Sequence, residues 1–392
     1  MSEKYFVQPD LQFIDEITSL GAGTLKKCFQ CATCSVACPI APENSPFPRK
    51  EMIAASWGLK DKLISNADIW LCHECGDCSE LCPRGARPGD VLSAVRYAAI
   101  NEYAQPKVIA DAVRDPKKLP FLIGIPAIWF AILAWVTMVG GDTMTKLFHN
   151  FGLEWSHGGG HDAIAHANFV STWLVDLTFV PLAAFVVIVF ALGLKRFIVD
   201  IHKNAVAEGK TDKESIDPKG FLQAIIKVLP TIIKHDKFNQ CEANQDRATA
   251  HMMVLYAFVG LFVVTNIFFV VLYIFHIPGP YSQLNPVKWL ANISGAALVI
   301  GSALMIKNRL GKKDQVSSYK DWYILGLVFA LGLTGLLTEM TRLAGSEYLS
   351  YFIYYLHLIA IFNLFAFLPF SKMAHLVYRI TAMSYAEYGN RK

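Results

Sequence analysis

Charge is scarce in this sequence. Only 17% of its 392 residues are Asp, Glu, Lys or Arg, while 54% are hydrophobic. That balance excludes an ordinary soluble domain and points to a membrane protein. The net charge of +4 is mild and gives no reason to invoke nucleic acid. No G-x-G-x-x-G follows a strand and no Walker motif is present, so no flavin or nucleotide site is expected. The opening segment MSEKYFVQPDLQFIDEI lacks the apolar core and cleavage site of a signal peptide. It is therefore expected to stay in the cytoplasm. The apolar stretches do not repeat one another and carry few charges, which argues against a transporter.

What the sequence does have falls into two parts. Residues 1–115 are mixed in character, with no clear strand. Helix-like spacing links Met52, Ile53, Trp57, Leu59 and Leu63. The stretch RPGDVLSAVRYAAINEYA reads as a second helix with Asp90 suited to its N-cap. Six apolar stretches follow, at about 120–140, 172–194, 252–275, 289–306, 322–341 and 351–370, each long enough to cross a bilayer as a helix. The 195–247 and 307–320 connections are rich in Lys and Arg; 141–171 has only Lys146 and 277–287 has none. By the positive-inside rule, the N-terminal part, both basic connections and the C-terminus lie in the cytoplasm of a multi-pass inner-membrane protein. The expected fold is all-α: a helical domain over 1–115, an extra span with its outer loop over 116–165, and a membrane domain over 166–392.

Eight of the nine cysteines lie in two copies of C-x2-C-x2-C-x3-C-P, CFQCATCSVACP from Cys28 and CHECGDCSELCP from Cys72. A reducing compartment favours metal over disulfide for such clusters. The spacing resembles that of bacterial two-cluster ferredoxins, in which the fourth cysteine of each run ligates the other cluster. The match implies Cys28, Cys31, Cys34 and Cys82 on one [4Fe–4S] cluster, and Cys72, Cys75, Cys78 and Cys38 on the second. Zinc is the alternative, but it leaves the third cysteine of each run unexplained. Cys241 stands alone and reads as an inert thiol.

Histidines at bilayer depth are costly and usually functional. His357 and His375 are 18 residues apart in the sequence. On one continuous helix they share a face, about 27 Å apart along the axis, which suits two stacked haem sites. His251 pairs with His375 at the cytoplasmic end. His166 and His276 compete to partner His357 in the outer half. His157 and His161 read as part of a flexible turn without a ligand role.

The first 115 residues resemble the small ferredoxin-like subunit of heterodisulfide reductases, through both cysteine motifs and the helical spacer. From about residue 168 onward the chain resembles the membrane cytochrome b subunit of respiratory nitrate reductase. That likeness rests on LHL at His357, LPFSK before His375, the segment from His251, and more weakly on Gly295–Gly301. The fusion resembles the membrane subunits of quinone-interacting oxidoreductase complexes of sulfate reducers. The resemblance implies haem b, one or two, with His251, His375 and His357 as axial ligands. Where the family has its fourth ligand this chain has Leu261, which cannot ligate iron. The extra first span slightly favours His166 over His276 as the replacement.

The resemblance further implies oxidation of menaquinol, with electrons passing through haem and both clusters to flavin-containing heterodisulfide reductase-like subunits. Adenylylsulfate reductase would be the eventual acceptor. Lys288 lies near a position resembling a quinone-contacting lysine, although an interfacial lysine can sit there for other reasons. Asp176, one turn into the second span, is a candidate proton acceptor, while Glu339 reads as interfacial. Two other readings stay open: the equivalent subunit of another menaquinol complex, and a haem-free membrane anchor for a ferredoxin module.

Overall fold

The computed structural model describes residues 8–150, 164–235, 246–311 and 316–389. Among these there is no strand. Four helices organise the N-terminal part: α1 (Leu11–Ile17), α2 (Arg49–Ser56), α3 (Pro88–Tyr103) and α4 (Lys107–Arg114). Then come α5 (Leu119–His149), α6 (Thr172–Ala207), α7 (Pro218–Lys234), α8 (Asp246–Tyr273), α9 (Pro286–Gly311), α10 (Tyr319–Leu343), α11 (Glu347–Phe367) and α12 (His375–Tyr388). Six segments are long and apolar enough to span a membrane: Pro116–Gly141, Thr172–Ala207, Arg247–Tyr273, Pro286–Gly311, Tyr319–Leu343 and Glu347–Phe370. They coincide with the six apolar stretches read from the sequence. The chain is a helical, multi-pass membrane protein with a cysteine-rich N-terminal domain.

Small residues let the spans approach. A Cβ on Gly301 of α9 would lie 3.0 Å from Met253 and 3.1 Å from the Ala250 carbonyl of α8. One on Gly332 of α10 would lie 3.0 Å from Val299 of α9. Helices in lipid have little hydrophobic drive to associate, so close backbone packing matters more there.

The core of the N-terminal domain extends into the helices that follow it. Phe13, Ile17, Met52, Trp70, Val95 and Ala99 share one buried cluster with Phe197 and Ile201 of α6 and with Tyr378, Ala382 and Tyr385 of α12. Trp70 stacks on Tyr378 at 5.3 Å and meets Phe197 edge-on at 5.8 Å. Tyr103 completes the group, 5.3 Å from Phe197.

Three local expectations are corrected. The Met52–Leu63 spacing is not one helix: α2 ends at Ser56 and a short helix restarts at Lys60. Gly58 sits between them at φ 65°, its carbonyl accepting from Asp10 N–H at 3.0 Å. A side chain there would collide with the Asp10 backbone. Asp90 is not an N-cap. Pro88, with its pre-set φ, begins α3 one residue after Arg87, and Asp90 lies inside the first turn, paired with Arg87 at 2.6 Å. Finally, His357 and His375 do not share one helix. α11 ends at Phe367, the chain passes through 3-10 turns at Leu368–Phe370 and Lys372–Ala374, and His375 opens α12. Pro369 lacks an N–H, and Ser371 is extended and caps the next turn, so helical phase is lost between the two histidines.

Candidate redox site

Both cysteine loops fold the same way. Residues two and four places after the first cysteine adopt left-handed backbone: Gln30 and Ala32 in the first loop, Glu74 and Gly76 in the second. A four-residue helix then follows, Thr33–Val36 in one loop and Asp77–Glu80 in the other. These reversals turn successive thiols toward one centre. The charges of Cys28, Cys31 and Cys82 all bear on Cys34, whose thiol is pushed up to about 11, first by burial and then by Cys28. Cys78 is pushed up by burial and then by Cys72, Cys38 and Cys75. Cys38 is raised to about 11 by burial, with Cys72 and Cys75 adding to it. Each group thus holds three cysteines of one motif and the last of the other.

The donor chemistry of the groups fits iron–sulfur clusters. Several mutually repelling thiols in a poorly solvated place ionise together only when a metal supplies the compensating charge. A cavity opens among Cys38, Cys72, Cys75 and Cys78, walled by Phe47 and Leu92. Donors already point at the sulfurs: Gln30 Nε2 reaches Cys28 Sγ at 3.2 Å and Glu74 N–H reaches Cys72 Sγ at 3.3 Å. Cys31 lies 3.3 Å from the Thr33 hydroxyl, which holds its thiol below the usual value. The two groups differ in exposure. Cys72, Cys75 and Cys78 are buried, whereas Cys31 is exposed, as are Phe29, Val36 and Leu81 of the two motifs.

The buried group adjoins the membrane helices through a charge network that sequence reasoning missed. Arg96 of α3 donates to the carbonyls of Ile69 and Cys72, each at 3.0 Å, and to Glu74 at 2.8 Å. Arg247 of α8 reaches the Glu74 carbonyl at 3.5 Å. Burial pushes the Glu74 carboxyl up, but the nearby cations Lys372 and Arg96 outweigh it and hold the group below the usual range. Lys372 in turn pairs with Asp321 of α10 at 2.7 Å. The only sequence signal was an arginine inside the otherwise apolar run SAVRYAA.

Beside this network stand His375 and His251. The Nδ1–H of His375 donates to the Lys372 carbonyl at 2.7 Å, which leaves Nε2 as a free acceptor. Burial and then the neighbouring His251 push His375 down to about 3, so the ring is neutral. His235, at the C-terminus of α7, packs edge-on against His251 at 5.2 Å, and its Nδ1 is buried with no partner. Sequence reasoning did not single out His235. The neutral His375 ring with its open Nε2, next to His251, fits an axially ligated haem.

Away from this network, His357 and His166 also bear on each other. Thr334 donates its hydroxyl hydrogen to the Ala330 carbonyl, so it accepts from His357 Nδ1 at 2.9 Å and leaves Nε2 open. His166 differs. Its Nε2 lies 3.0 Å from Ser350, whose own hydroxyl donates to Thr338, so Nε2 is the nitrogen engaged. His276 is exposed, three residues beyond the end of α8. Leu261 is half-buried on α8, packed against the core shared by α8–α11. Lys288 pairs with Glu339 at 3.0 Å, and Glu339 also takes Arg342 at 2.8 Å and Gln283. Asp176 accepts from the Tyr273 hydroxyl. His157, His161 and Cys241 lie outside the described residues.

Comparison with known proteins covers only the N-terminal part. The pattern of the 4Fe-4S dicluster domain matches residues 24–86. The C subunit of the H(2):CoB-CoM heterodisulfide,ferredoxin reductase of Methanothermobacter marburgensis is 36% identical over 104 residues, 26% of this chain and 54% of that protein. A protein of Archaeoglobus profundus that is itself like the C subunit of heterodisulfide reductase is 31% identical over 116 residues, 29% of this chain and 62% of that protein. The B subunit of a fumarate reductase (CoM/CoB) from Methanothermobacter marburgensis is 31% identical over 111 residues, 24% of this chain and 21% of that protein. The chain spans about half the length of the first of these relatives. No solved structure matches. The protein therefore joins a domain similar to the small iron–sulfur subunit of heterodisulfide reductases to six helices long and apolar enough to cross a membrane.

Proposed function

We propose that this chain is the membrane subunit of a menaquinol-oxidising complex. It delivers electrons to soluble flavin-containing partners of the heterodisulfide reductase type, with adenylylsulfate reductase as the eventual acceptor. The observation that carries this reading is the sorting of eight cysteines into two groups of four, the buried one beside His251 and His375. Cys28, Cys31, Cys34 and Cys82 would hold one [4Fe–4S] cluster, and Cys72, Cys75, Cys78 and Cys38 the other. His251 and His375 would hold haem b. These groups supply one-electron carriage when bound.

The residues of the chain do the rest. Arg96 and Lys372 hold cationic charge beside the buried cysteine group, where added negative charge needs compensation. Exposed Phe29, Val36 and Leu81, all within the two cysteine motifs, offer apolar surface for a partner to dock on. At the far end, Lys288 has donors to orient a quinol oxygen. The carboxylate of Asp176 can take a proton that quinol releases. A second haem would need His357, with His166 turned away from Ser350. His357 keeps its Nε2 open, but the Nε2 of His166 is engaged with Ser350 as it stands, which favours a single haem at His251 and His375.

The test is to purify the protein, determine iron, sulfide and haem per chain, and record the visible spectrum before and after a menaquinol analogue. About eight irons per chain with a quinol-reducible b-type band carries the proposal. Eight irons without haem in a folded preparation replaces it with a membrane-anchored ferredoxin. Partners co-purified from native membranes separate this complex from other menaquinol complexes.

A further inference from the structure

The helix α7 presents three different faces. Ala224 and Val228 are buried against α12, and Phe221 meets Tyr388 at 6.1 Å. A second face carries Leu222, Ile226, Leu229 and Ile233, which are 57%, 64%, 42% and 48% exposed. Their steps of four, three and four residues make a straight apolar stripe along the helix. Beside the stripe runs a third face of Lys219, Gln223, Lys227 and Lys234, all exposed. No acidic residue lies within α7; Asp217 caps its first turn by accepting from Gly220 N–H at 2.8 Å.

We infer that α7 lies in the plane of the membrane, with Leu222, Ile226, Leu229 and Ile233 in the acyl region and its lysines among anionic lipid headgroups. The inference rests on the reading that the six apolar helices cross a bilayer. The helix belongs to the connection between two of those spans, α6 and α8, so it lies at a membrane face. Its end is also fixed in depth. The Tyr256 hydroxyl donates to the Ile233 carbonyl at 3.0 Å, and Tyr256 lies within the Arg247–Tyr273 span. The apolar stripe therefore runs into the outward face of α8, where Val259, Phe262 and Val263 are exposed. A stripe continuous with a lipid-facing surface and edged by cations on one side has the form of an interfacial helix. Lysines near the surface of an anionic leaflet are each favourable there. Lys227 is partly engaged with Glu387 at 2.9 Å, which leaves Lys219 and Lys234 as the main headgroup ligands.

The location has a consequence for the candidate haem site. α7 ends on His235, against His251. Seating the helix in the leaflet holds His235 over the entrance to that site and closes it with lipid.

The test uses the full chain, with whatever partners it assembles with, in native membranes. p-Benzoylphenylalanine replaces Ile226, Gln223 or, as a lipid-facing control in α8, Phe262. After irradiation, acyl-chain adducts are expected at 226 and 262 and not at 223. Adducts to another polypeptide at 226, no adduct at 226 while 262 reacts, or equal acyl labelling at 223 and 226 would each overturn the inference. The headgroup half is tested with spin-labelled phosphatidylglycerol and phosphatidylcholine around the purified protein. In Lys219→Gln/Lys234→Gln the preference for the anionic lipid is expected to fall severalfold. An unchanged preference refutes the lysine role. Neither readout uses haem or iron, so failure here is distinct from failure of the proposed function.

Discussion

Ala32 holds the left-handed position that Gly76 fills in the second cysteine loop, at φ 70° against φ 101°. An L side chain there costs about 1–2 kcal/mol. Ala32→Gly should therefore raise the melting temperature by a few degrees without changing iron content. The exchanged ligands make a sharper prediction. If Cys82 serves the group of Cys28, Cys82→Ser should remove the cluster of the first motif and leave that of the second. Iron per chain would fall by about half, with Cys72, Cys75, Cys78 and Cys38 still loaded. Loss of the second cluster instead would reverse the assignment. Glu51 gives a pH prediction. It is 1% exposed, one carboxyl oxygen has no partner, and the other accepts from Asn66 at 3.2 Å. Burial, and then the neighbouring Asp68, push its carboxyl up to about 8 despite Lys50. The folded protein therefore keeps a proton that the unfolded chain has lost. This contribution is fully present below the ordinary carboxylate value, falls as pH rises, and is gone by about pH 8. Glu51→Gln should abolish a loss on the order of a few kcal/mol between pH 5 and 8, read as a flatter melting temperature against pH. The cysteines were legible in the sequence because ligand spacing is local. Arg96, Glu74, Lys372 and His235 were not, because what gives each its role comes from distant parts of the chain.

Helices were read well where length and apolarity decide, as in the six spans, and less well where phase matters. The argument that put His357 and His375 on one face needed an unbroken helix from the last span into the C-terminal segment. Pro369 was the available signal against it, and the structure ends the helix there. Packing between spans supplies the element-scale prediction. Gly301→Val places its Cβ against Met253 and the Ala250 carbonyl, in the helix turn that carries His251. Overpacking of this kind costs about 1–3 kcal/mol. The variant should melt lower in detergent and, if His251 is an axial ligand, lose b-type absorbance before it loses iron. Equal loss of both would mean general unfolding.

The buried cluster that joins Trp70 to Phe197 and Tyr378 crosses the boundary that a sequence reading draws near residue 115. Composition changes there from mixed to apolar, and a boundary is the natural inference. The fold instead uses residues from both sides to make one core, and nothing in the order of the residues announces that. Trp70→Ala should cost about 3–5 kcal/mol and expose the N-terminal domain to protease while the spans remain protected. If cleavage is unchanged, the aromatic group is not the fastening. Should the fastening hold, the cysteine loops are not a ferry that carries charge between docks. They are a fixed bridgehead at constant distance from the bilayer. Turnover through this chain would then be insensitive to solvent viscosity up to the point where a partner lands beside Cys31. Only beyond that landing would diffusion enter the rate.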